Sequence, residues 1–281
     1  MAGPEGNEST PAELPAWSLD RERAAATLLH SELPFARARE WAWGDSRGAG
    51  ARACVIDSGI DGSHPRVGGI QGAVFLELGD DGKAIVQEDE EGDLFGHGTA
   101  CAGIIRALAP ECELHSVRVL GRGLTGAGPV LLAGLKWAIE QGFDVINLSL
   151  STTKSQFAAE LRELADRAFF RGSLVVAAAH NMPVLSYPWR FSAVVSVGSH
   201  GGADPFEFYC NPEPPVEFGA CGVDVDVAWL EHSTLRSSGN SFATPHIAAI
   251  AALILAKHPG LTPFETKSLL RATASNVRSA A

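Results

Sequence analysis

Gly239–Lys257 reads GNSFATPHIAAIAALILAK. From His246 onward nearly every residue is apolar and mostly small. Such a stretch forms a helix surrounded by protein on several sides. Pro245 is placed in the first helical turn, where a missing amide is tolerated, and His258, Pro259 and Gly260 end the helix. Ser241 then stands at the mouth of the helix, after Gly239 and beside free backbone N–H groups. On local sequence alone it is an N-cap serine. A hydroxyl there can also attack a carbonyl, with its own N–H holding the resulting oxyanion.

The 281 residues suit one large α/β domain, or at most two, with ample core. With 46% hydrophobic and 20% charged residues, 30 Gly and 16 Pro, the chain is globular and loop-rich rather than disordered. A net charge of -11 argues against nucleic acid as a main partner. Five cysteines are an odd number and include no C-x-x-C pair, which fits a reduced intracellular protein better than a disulfide framework. The start, MAGPEGNESTPAELPAW, has neither the basic nor the apolar region of a secretory signal. Ile247–Ala256 is too short an apolar run to span a membrane. These features point to the cytoplasm, with no membrane partner.

Residues 1–16 read as a flexible polar arm. Helices are expected over Ser18–Ser31 and Pro34–Trp43. Ala51–Ile56 is a buried strand ending at Asp57-Ser58-Gly59, and Ala73–Leu78 with Lys83–Val86 forms a hairpin. The acidic run Glu88, Asp89, Glu90, Glu91 and Asp93 reads as a solvated face. The alternative is that Glu90, Glu91 or Asp93 favours basic side chains of a ligand. In Phe95–Leu108, FGHGTACAGIIRAL, Gly96 and Gly98 bracket His97 at the start of a buried helix. Strands over Glu113–Leu120, Asp144–Leu150, Leu174–Ala179 and Ala193–Val197 alternate with helices over Val130–Gln141 and Gln156–Phe170. Thr262–Thr273 closes the chain as a helix. The alternation implies right-handed crossovers and a mostly parallel sheet covered on both faces. Gly121–Gly128 lacks the Lys-Ser/Thr ending of a phosphate loop.

Three motifs stand in order: VIDSGIDGSHP around Asp57, FGHGTACAG around His97 and GNSFATPHIA around Ser241. With DVINLSL and VVAAAHN they resemble the subtilisin-like serine proteases (subtilases) over roughly Pro34–Thr273. The resemblance implies a three-layer α/β fold and a peptidase domain over 34–281, after an extension over 1–33. It also implies a peptide or protein substrate. A serine hydroxyl is a weak nucleophile that needs a base, a histidine supplies one near working pH, and a carboxylate holds the histidine's tautomer. Ser241, His97 and Asp57 fill these roles. By resemblance, Asn181 completes the oxyanion site with the Ser241 N–H. Two backbone edges, Ser149–Leu150 and Leu124, Thr125, Gly126, would hold the substrate as an added strand.

The chain also departs from the family. Leu108 runs straight into Ala109-Pro110, where relatives carry a calcium loop, and Arg66 replaces a ligand Asp. The family's high-affinity calcium site is therefore expected to be absent and no cofactor is expected, a weaker calcium site being left open. His180 and Ser151 replace glycines of the specificity pocket, and Met182–Ser186 is short. These changes point to restricted specificity. Asn240 and Phe242 flank the serine where Thr and Met are common, and neither should prevent catalysis. Cys101 lies one helical turn after His97. A serine endopeptidase, for instance one that matures a precursor peptide, is the expected function. The alternatives are a silent subtilase-fold module that binds peptides and a transpeptidase or cyclase using the same acyl-enzyme.

Overall fold

The computed structural model describes residues 15–27, 29–31 and 38–279. The chain opens with α1 (Arg21–Ala26), β1 (Leu29–Ser31), α2 (Ala38–Ala42), β2 (Arg52–Asp57), β3 (Gly72–Leu78) and β4 (Ala84–Glu88). There follow α3 (His97–Leu108), β5 (Glu113–Arg118), α4 (Gly128–Gln141), β6 (Val145–Leu148), α5 (Ala158–Phe170), β7 (Leu174–Ala178) and β8 (Val195–His200). The last part holds β9 (Phe208–Cys210), β10 (Phe218–Cys221), β11 (Val225–Ala228), β12 (Thr234–Ser237), α6 (Asn240–Lys257), α7 (Pro263–Thr273) and β13 (Val277–Ser279).

A nine-stranded sheet runs in the order β4-β3-β5-β2-β6-β7-β8-β10-β9. From β3 to β10 every neighbouring pair is parallel, while β4 and β9 are antiparallel edges. Side chains alternate across a strand, so a strand buried on both faces feeds two cores. Ala53 and Val55 of β2 join the core with α3 and α6, whereas Cys54 and Ile56 join the one with α4 and α5. In β7, Leu174 and Val176 divide from Val175 and Ala177 in the same way. This is the three-layer α/β architecture that the alternation of elements predicts. The small residues of α6 let it lie against the sheet, with Phe242 to Leu255 buried on all sides. Thr262 and Glu265 form a reciprocal capping box at the start of α7.

Parallel strands point their carboxyl ends to one edge, where open α/β sheets carry their chemistry. Three adjacent strands end there: β2 at Asp57, β6 just before Ser149 and β7 just before Ala179-His180-Asn181.

Several expectations are corrected. The helix expected over Ser18–Ser31 covers only Arg21–Ala26. Asp20 caps it by accepting from the Arg23 amide at 2.7 Å. Leu29–Ser31 instead pairs as a parallel strand with Val277–Ser279. Of the helix expected over Pro34–Trp43, residues 34–37 lie outside the described residues and Ala38–Ala42 is helical. The strands β9 to β12 have no counterpart in the expected elements. The acidic run is not a solvated face throughout. Asp89 is buried against Arg118, with two contacts of 2.8 Å, and Asp93 caps α3. Residues 1–14, read as part of a flexible arm, lie outside the described residues. Beyond them Ala16 N–H donates to Asn181 O at 2.7 Å and Leu19 N–H to Ser199 O at 2.6 Å, so this stretch is strapped across the sheet's end.

Candidate active site

Asp57 is the last residue of β2 and is fully buried. Its Oδ1 accepts from Ser58 N–H at 2.8 Å, which fixes the carboxylate. His97 opens α3, and its Nδ1 lies 2.8 and 2.9 Å from the two Asp57 oxygens. A carboxylate only accepts, so Nδ1 carries the proton and Nε2 presents a lone pair. Burial lowers the His97 pKa, but the charge and hydrogen bond of Asp57, with the charge of Asp93, outweigh it and leave the pKa raised.

Glycines set the approach. Gly96 has φ 108°, a left-handed conformation. A Cβ on Gly98 would stand 2.0 Å from Gly59 O, so only glycine lets the start of α3 close onto the turn after Asp57. Asp93 seals this junction. Its Oδ1 accepts from Phe95 and Gly96 N–H and its Oδ2 from Thr99 N–H, at 2.8–2.9 Å. An anion at a helix N-terminus is the favourable sign there.

Ser241 does not cap α6. Gly239 is the N-cap, and Asn240 already has helical geometry. Pro245 accordingly falls in the second turn, not the first. Lacking an amide, it leaves Ser241 O without its partner four residues on. Ser149 Oγ–H fills that place at 2.9 Å, with Cys101 Sγ at 3.7 Å. Ser241 is thus held by its carbonyl while its hydroxyl takes no part in capping.

Asn181 follows β7. Its Oδ1 accepts from Asn240 N–H at 2.9 Å, which commits the oxygen and leaves Nδ2 as the free donor. Asn240, itself fully buried, donates from Nδ2 to Ala16 O at 2.8 Å and to Ala179 O at 3.1 Å. Its Oδ1 accepts from Ser199 N–H at 2.9 Å.

A cavity of about 300 Å³ brings these groups together. His97, Ser241 and Asn181 line it, as do Leu124, Gly126, Ser149, Leu150, Ser151 and His180. Of the residues expected to touch substrate, Thr125 is not among those lining it, and its carbonyl accepts from Gly121 N–H at 3.0 Å within the loop. Lys154 and Thr152 also line the cavity. Neither carries a sequence signal that marks it in advance, since both lie in the loop after β6 with no spacing rule to point them inward.

A family model described as the Subtilase family matches residues 48–281. The chain belongs to the subtilase family. It is 31% identical to subtilisin DY of Bacillus licheniformis, over 82% of this chain and 86% of that protein. It is 34% identical to a thermostable alkaline protease of Halalkalibacterium halodurans, over 81% of this chain and 63% of that protein. Among solved structures, a cold adapted subtilisin-like serine proteinase matches with TM-score 0.66 and 28% identity, over 81% of this chain and 83% of that one. This subtilase is a serine endopeptidase, and peptides or proteins are its substrates. All five of its cysteines are buried and unpaired. No helix among the described residues is long and apolar enough to cross a membrane.

Proposed function

We propose that Asp57, His97 and Ser241 carry the peptidase reaction, with Asn181 Nδ2 and Ser241 N–H binding the oxyanion. One observation carries the assignment: Asp57 holds the Nδ1 proton of His97 in the same cavity wall that presents Ser241 and Asn181. In this reading the bare Nε2 of His97 takes the Ser241 proton as Oγ attacks the scissile carbonyl. The imidazolium then protonates the leaving amine, and water repeats the cycle on the acyl-enzyme. Removing an oxyanion donor of this kind costs on the order of 10²–10³ in turnover.

The finer reading is a cytoplasmic enzyme of restricted specificity that matures a precursor peptide. Five buried thiols without a disulfide suit a reducing compartment. His180 and Ser151, which both line the cavity, support a restricted choice of substrate. Neither a cofactor nor the family's high-affinity calcium is part of this reading. The guanidinium of Arg66 lies 2.7 Å from Asp226 Oδ2 and 3.0 Å from Asp226 O, where a cation would be repelled.

The test is labelling by a fluorophosphonate probe, run beside Ser241→Ala. Labelling of the wild type alone supports the assignment, whereas equal labelling of both, or none in a folded sample, overturns it.

A further inference from the structure

We infer that the cavity beside Ser241 receives a carboxylate side chain, so that this subtilase cleaves after Glu or Asp. The inference rests on the proposed catalytic role of Ser241 and adds the substrate class. The chain carries 33 acidic residues against 22 Lys and Arg, yet no Asp or Glu lines the cavity. Its wall carries Lys154 instead, and among the described residues Lys154 has no ion-pair partner. Lys154 is exposed, so its ammonium is available to an anion in the cavity, and salt weakens that attraction.

His180, which lines the same cavity, adds a donor. His180 Nδ1 accepts from Met182 N–H at 3.0 Å, so its ring proton is on Nε2, which is left to donate. A carboxylate accepts from such donors, whereas an ammonium or guanidinium offers them nothing. The wall is also fixed in place. Thr152 and Tyr187 exchange two backbone hydrogen bonds of 2.9 Å, and Lys154 N–H donates to Thr152 Oγ1 at 3.2 Å. At about 300 Å³ the cavity has room for a Glu or Asp side chain beside Ser241. The rival idea, a preference for basic side chains set by the acidic run, loses its best-placed groups. Asp93 is committed to the start of α3, and Glu91 contacts Arg118 at 3.1 Å.

The experiment uses the full chain and internally quenched peptides that differ only in the residue before the scissile bond: Glu, Asp, Gln, Leu and Lys. The Glu substrate should exceed its Gln isostere in kcat/KM by about threefold or more, because only the charge differs. That ratio should shrink at high salt. Lys154→Met should flatten it and Lys154→Glu should move the preference towards Lys. Each ratio is internal to one variant, so partial loss of folded protein does not alter it. A Gln or Leu substrate equal to Glu in the wild type, or a Glu/Gln ratio unmoved by Lys154→Met, overturns the inference. Fluorophosphonate labelling of the same wild-type sample separates the two levels. Labelled enzyme without a Glu preference sinks only the substrate class, whereas unlabelled folded enzyme sinks the catalytic assignment beneath it.

Discussion

Ser149 Oγ–H donates at 2.9 Å to Ser241 O, the carbonyl that Pro245 leaves unpaired in α6. The end of β6 is thereby bonded to the first turn of the helix that carries the proposed nucleophile. The expected backbone role of Ser149 in binding substrate does not touch this side-chain bond.

Ser149→Ala should therefore lower kcat by about tenfold with little change in KM, since a small misplacement of the nucleophile is felt in the chemical step. Pro245→Ala restores an amide that can reach Ser241 O. In the Ser149→Ala background it should recover part of the loss, while alone it changes little. Steady-state kinetics on the four proteins of this cycle measures the coupling, and strictly additive effects would count against it.

Asn240 is a second tie. Its buried amide bonds Ala16 O, Ala179 O and Ser199 N–H, while its own N–H orients Asn181. Replacement by Ala strands several buried polar groups, each costing about 1–3 kcal/mol. Asn240→Ala should lower the unfolding midpoint by several degrees and reduce kcat. Thr, common at this position in the family, is too short to replace all three bonds. Asn240→Thr should therefore behave nearly as Asn240→Ala in denaturant unfolding.

These ties mark where the sequence stops being legible. Strand and helix periods give the sheet and its two helical layers, and three motifs name Asp57, His97 and Ser241 by local pattern. Asp93 looks like one more charge in an acidic run until the chain brings it to the N-terminus of α3. Asn240 reads as a neutral substitution because its partners lie up to 224 residues away in the chain. Lys154 has no periodicity to betray its side, as it sits in a loop. The edge strand β9 and the pair β11–β12 are only 3 and 4 residues long, too short for alternation to register.

Arg66 supplies a prediction about cations. Its guanidinium occupies both the side chain and the carbonyl of Asp226. Chelation by EDTA should leave the unfolding midpoint unchanged, and calcium at concentrations that fill only a high-affinity site should not raise it. The pair is about half exposed, so Arg66→Ala should cost only about 0–1 kcal/mol. Calorimetry with and without calcium checks both statements, and a midpoint that climbs with calcium would show a bound ion.

The pH dependence follows from His97. Burial pulls its pKa down, but the charge and hydrogen bond of Asp57, together with the charge of Asp93, pull it above the ordinary value of 6.5. In the proposed mechanism only neutral imidazole accepts the Ser241 proton, so kcat/KM should rise with pH through a midpoint above 6.5. Asp57→Asn removes the largest raising causes, so its midpoint should move down. Its rate should also drop by about 10⁴ as the tautomer is lost. Stability runs the other way. A base with a raised folded pKa binds its proton more tightly when folded, so its contribution is complete below the unfolded pKa and is lost as pH climbs through the folded one. In that window the enzyme gains activity while losing this part of its stability. Denaturant unfolding of the wild type and Asp57→Asn across pH 5–9 measures the difference. A stability gap that widens with pH would contradict the raised pKa, and with it the assignment of His97 as a base held by Asp57.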